Sequence, residues 1–87
     1  MSYLEWSKEQ DSIERDQPEK TQSLYKRARE TFYTHPKASK IYLSNSDFEL
    51  MVPNNKATAF GILLYALNLP LLQIEDVKNE ALKILES

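Results

Sequence analysis

The chain of 87 residues contains no cysteine. Disulfides and thiolate metal sites are therefore excluded. One histidine, His35, rules out a multi-histidine metal site. One glycine, Gly61, is too few for a glycine-rich phosphate loop. No Gly-x-Ser-x-Gly elbow is present, so an exposed serine nucleophile of that kind is missing too. The opening MSYLEWSKEQ lacks the basic, apolar, small-residue order of a secretory leader. These absences predict a cytoplasmic, non-enzymatic protein with no cofactor and no metal. A chain this short has a modest core, and without disulfide or metal staples it leans on a partner or on self-association.

The charge that is present is unevenly spread. The net −2 divides into an acidic start, a basic middle and an acidic end. Residues 21–46 carry Lys26, Arg27, Arg29, Lys37 and Lys40 against Glu30 alone. A basic island between acidic flanks marks either an anionic partner or a surface of internal ion pairs.

Local signals give a coarse architecture. Ser2-x-x-Glu5 has the form of a capping box, opening a weak amphipathic helix with Leu4, Trp6 and Ile13 as its apolar anchors. Pro18 suits a first helical position, with Asp16 or Gln17 as the cap. Leu24, Ala28, Thr31 and Phe32 recur at helical spacing as far as about Thr34, where His35-Pro36 ends the helix. Ile41-Tyr42-Leu43 and Phe48 to Val52 flank Ser-Asn-Ser-Asp, which predicts a β-hairpin over residues 40–52. The rival is a short helix opened by Ser46-x-x-Glu49 and stopped by Pro53. Asn54 or Asn55 caps a helix to about Asn68. A last helix carries Ile74, Val77, Ala81, Ile84 and Leu85 on one stripe.

The expected fold is thus α+β. Three main helices, near residues 18–34, 55–69 and 72–86, surround a short hairpin, preceded by a loose N-terminal helix. An all-α bundle is the alternative. Residues 1–17 form the acidic arm and 18–87 one small globular domain.

The block ATAFGILLYALNLPLL, residues 57–72, holds no charge. A membrane span needs about 20 apolar residues, and this block falls short and lacks basic flanks. A helix apolar nearly all round must be enclosed on most sides. The 18–34 helix, the hairpin and the last helix are its expected covers, with a partner or a second copy supplying the rest. Phe60, Leu64 and Leu67 are the expected protein interface, with Trp6 of the acidic arm as a further anchor.

Chemistry is sparse. Asp47 and Glu49 would share a strand face, which opens paired-carboxylate or Mg²⁺ chemistry, but a solvated hairpin face ranks well above it. The stretch RETFYTH, Arg29 to His35, resembles the Arg-x4–6-His signature of HEPN ribonucleases. That resemblance covers seven residues. It implies an arginine and a histidine meeting across a helical dimer to cleave RNA. The basic island interleaves its cations with Tyr25, Phe32, Tyr33 and Tyr42, the mixture used by single-strand nucleic-acid binders. The leading expectation is a protein-interaction or regulatory module, homodimeric by default because two-fold pairing is commonest. Nucleic-acid binding through Lys26, Arg27, Arg29, Lys37 and Lys40 comes second, and a small ribonuclease last.

Overall fold

The computed structural model describes residues 2–13, 17–71 and 74–86. Among these residues it contains five α-helices and no strand. They are α1 (Tyr3–Ile13), α2 (Pro18–Thr31), α3 (Ala38–Met51), α4 (Lys56–Leu67) and α5 (Ile74–Glu86). Asp16, Leu72 and the Ile13 side chain lie outside what is described.

The predicted hairpin is the main correction. Residues 38–51 are one continuous helix, so the molecule is an all-helical bundle and not a helix–hairpin fold. The reason is that α3 is the central element, packed against α2, α4 and α5. It gives Ile41 and Phe48 to a cluster with Trp6, Leu24, Tyr25 and Phe32. It gives Tyr42 to a second cluster with Leu63, Val77 and Ile84, onto which Leu43 and Leu50 also pack. A helix buried on two sides loses the single apolar stripe that betrays a helix. Its apolar residues fall next to one another and resemble strand alternation. The capping box at Ser46 fails as well. Ser46 is fully buried in mid-helix, and the nearly buried Glu49 accepts from Gln22 Nε2 at 3.4 Å. Asp47 is exposed and Glu49 is buried, as expected for positions two apart on a helix, so the shared carboxylate face does not exist.

Local chemistry accounts for the other ends. The Glu5 N–H donates to Ser2 Oγ at 3.2 Å, the first half of the expected capping box. Pro18 opens α2 behind Gln17, whose side chain makes no cap bond. The helix stops at Thr31, short of the expected Thr34, because Phe32 turns inward and a tight turn follows. Asn54 takes a left-handed φ of 57°, which asparagine tolerates. Asn55 Oδ1 then accepts from the Thr58 N–H at 3.1 Å to cap α4. Val77, Ala81 and Ile84 are the buried stripe of α5.

The Cα trace measures 32 × 28 × 15 Å, a slab about two helices deep at the usual 8–10 Å spacing. The slab governs which surfaces are left open. α4 is covered by α3 and α5, and the backbone of α2 does not reach it. Among the described residues no helix is long and apolar enough to cross a membrane.

Candidate functional site

The residues expected to form the protein interface separate. Trp6 is only 3% exposed and anchors α1 inside the first cluster, its ring 5.9 Å from Tyr25. Phe60 and Leu67 are half-buried against the second cluster. Leu64 alone of the four faces solvent, at 44% exposure. It does not stand by itself, however. Ala57, Gly61, Leu64 and Asn68 follow one another at helical spacing on the uncovered side of α4, beside Thr58 and Tyr65. None of these side chains is charged.

Gly61 lies at the centre of that face. A glycine inside a helix costs about 1 kcal/mol relative to alanine. A Cβ placed there would meet nothing within 4 Å, and its φ is negative. Neither crowding nor backbone conformation within one chain therefore demands glycine.

The basic island also divides. Lys26 and Arg29 of α2 line a groove of about 470 Å³ between α2 and α4. Its other walls are Tyr33, Tyr42, Tyr65 and Leu69. The Tyr42 and Tyr65 rings lie 6.3 Å apart. Burial raises the Tyr42 phenol above its ordinary pKa, the neighbouring Tyr65 adds to this, and the Arg29 guanidinium opposes it. The groove thus brings together two cations, the carboxylate of Glu30 and three tyrosines. Tyr25 and Phe32, expected beside the cations, are core residues instead. Arg27 and Lys40 are exposed outside the groove, and Lys37 sits elsewhere, its ammonium 5.7 Å from the Tyr3 ring. Tyr65 is the groove residue that sequence reading missed. It lies in an apolar run, and only the packing of α4 on α3 turns it toward α2.

Arg29 and His35 have different surroundings. Arg29 faces the tyrosine groove. His35 stacks on Tyr3, and its Nδ1 accepts from the Lys37 N–H at 3.0 Å. The pair implied by the ribonuclease resemblance is not assembled within one chain. No group of three or more His, Asp or Glu side chains able to hold a metal gathers among the described residues. Comparison with known proteins yields no match to a family model, a curated protein or a solved structure.

Proposed function

We propose that this protein is a non-enzymatic, cytoplasmic interaction module that pairs with a second copy of itself through the outer face of α4. The observation that carries this reading is the uncovered, uncharged face from Ala57 to Asn68, in a chain whose residues are 28% charged. A two-fold contact sets each patch against itself. The basic island and the acidic flanks would each meet their own charge there, and like charges in contact are repulsive. The α4 face meets itself without that repulsion. Gly61 fits the same reading, since a missing side chain lets two helix backbones approach closely.

Sedimentation velocity from low micromolar to near-millimolar concentration tests the proposal. A monomer–dimer equilibrium that Leu64→Glu abolishes, with helicity retained, is the expected result. A monomer throughout the range overturns it.

The tyrosine groove favours a second reading, a nucleic-acid-binding regulator. Lys26 and Arg29 would take phosphates, and Tyr33 and Tyr65, 63% and 61% exposed, would stack on unpaired bases. Anisotropy of labelled single-stranded DNA and RNA separates the two readings. Binding that falls with salt and is lost in Arg29→Glu would support the groove, and salt-independent or absent binding would remove it.

A further inference from the structure

α1 covers a face of the bundle that it fits poorly. Among the described residues, no Cα of α1 comes within 8 Å of α3, α4 or α5, so α2 alone carries it. A gap of about 360 Å³ is left on the α3 side, with Phe48 in its lining and Met51 and Val52 exposed along it.

The floor beneath α1 is aromatic and apolar. Leu24, Tyr25, Phe32 and Phe48 belong to it, and Trp6 of α1 packs into the same cluster. The Trp6 ring lies 5.9 Å from Tyr25 and 6.4 Å from Phe32. Such a face needs a cover, and the cover it has in this chain is a helix.

The side chains of α1 are out of step with that task. Leu4 is 63% exposed, whereas Gln10, one turn beyond Trp6, is 3% exposed. Leucine outside and glutamine inside is the reverse of what a helix on an apolar face requires. Neither amide atom of Gln10 has a hydrogen-bond partner among the described residues, and neither does the Trp6 indole N–H. A buried polar group without a partner has lost its water and made no bond to replace it. An apolar side chain at this position carries no such penalty. α1 stays in place because it is tethered, and a segment of the same chain has a high effective concentration at its site. Its first turn is also held by the stack of Tyr3 on His35.

We propose that the α2–α3 face beneath α1 is a docking groove for an amphipathic helix of a partner protein, which displaces α1. The partner helix bears an aromatic residue where Trp6 lies, an apolar residue four positions on where Gln10 lies, and a large apolar residue toward Met51. Anchors one turn apart are the usual reading of a helix in a groove. α1 is then the inhibitor of its own groove. A second copy's α1 brings the same glutamine and gains nothing by exchange, so the occupant is a different chain. The gap beside α1 shares no lining residue with the tyrosine groove.

Trp6 is the one tryptophan of the chain, so its emission reports the departure of α1. The probes are two acetylated, amidated peptides of residues 2–13, both with Trp6→Phe so that the protein's indole alone is read. One keeps Gln10 and the other carries Gln10→Leu. The expected result is a saturable red shift of the protein's Trp6 emission, with the Gln10→Leu peptide at least tenfold more potent. Gln10→Leu in the full chain repairs α1 and should weaken both peptides at least tenfold, with helicity retained. Hydrogen exchange needs no variant of the protein. The α1 amides should exchange at least tenfold faster than those of α3, and at least tenfold faster again when the Gln10→Leu peptide is bound. Equal potency of the two peptides would overturn the proposal and leave a second copy's α1 as the occupant. No saturable shift, or α1 amides as slow as those of α3, would overturn it too, with α1 then a fixed part of the core. Self-association through α4 is read by sedimentation without peptide, so either idea can fail without the other.

Discussion

The Tyr3 ring lies flat on the His35 imidazole, with centroids 4.9 Å apart and 11° between the planes. The same tyrosine meets the edge of Phe32 at 5.9 Å and lies beneath the Lys37 ammonium at 5.7 Å. The first turn of α1 is thereby fixed to the turn between α2 and α3. His35 Nδ1 is held in turn by the Lys37 N–H, which presents the ring face to Tyr3. The one histidine of the chain has a positioning task that follows from its contacts.

Removing that ring should loosen α1. An aromatic pair contributes about 0.5–1.5 kcal/mol beyond its buried area. His35→Ala is expected to lower stability by about 1 kcal/mol and to shift Trp6 emission to the red as water reaches the indole. Urea unfolding followed by fluorescence reads both effects, and unchanged emission would mean that Trp6 alone holds the helix.

Leu63 and Leu64 are neighbours with opposite fates. Leu63 is fully buried, and Leu64 is 44% exposed. Leu63→Ala should destabilise by about 2–5 kcal/mol, enough to unfold a marginal small domain. Leu64→Ala should cost the monomer about 0.5 kcal/mol or less and act on self-association instead. Thermal unfolding at low concentration, below any dimer, separates them. Similar losses in both variants would place Leu64 in the core.

Legibility in the sequence followed how each helix is buried. α5 buries one stripe, and Val77, Ala81 and Ile84 announce it. The caps at Ser2 and Asn55 and the first position of α2 at Pro18 are local chemistry and could be read directly. α3 resembles a hairpin in sequence because Ile41 serves one cluster and the adjacent Tyr42 the other. For the same reason the sites were only partly visible. Lys26 and Arg29 are one turn apart on α2, so their local spacing already places them together. Tyr65 acquires its meaning from the packing of helices distant in sequence, which no local pattern carries.

Gly61 yields a test that changes sign with the oligomeric state. With open space around its Cβ, Gly61→Ala should stabilise the monomer by about 1 kcal/mol. If α4 crosses a second α4 closely, the same methyl group should weaken the dimer. Melting at low concentration and sedimentation at high concentration should therefore move in opposite directions. A gain in both would mean that the helices do not approach each other at Gly61.

The last expectation concerns alkaline pH. Burial raises the pKa of Tyr42 above the ordinary tyrosine value, Tyr65 adds to the rise, and Arg29 holds it back. Burial also raises Tyr3. A phenol with a raised pKa stays protonated in the folded chain after its unfolded counterpart has ionised. The folded state then binds more protons, so stability falls as pH rises. The window opens at the unfolded value, about pH 10, and closes above the folded one. Below it both states are neutral at this group and no slope arises from it. Urea unfolding at about pH 8 and about pH 11 should show a smaller alkaline loss in Tyr42→Phe than in the parent, with a remainder due to Tyr3. Arg29→Gln removes the opposing cation and should make the loss larger. If Tyr42→Phe and the parent lose the same stability over this range, the Tyr42 hydroxyl is hydrated as fully in the folded chain as in the unfolded one. The tyrosine groove would then be open to water down to its floor.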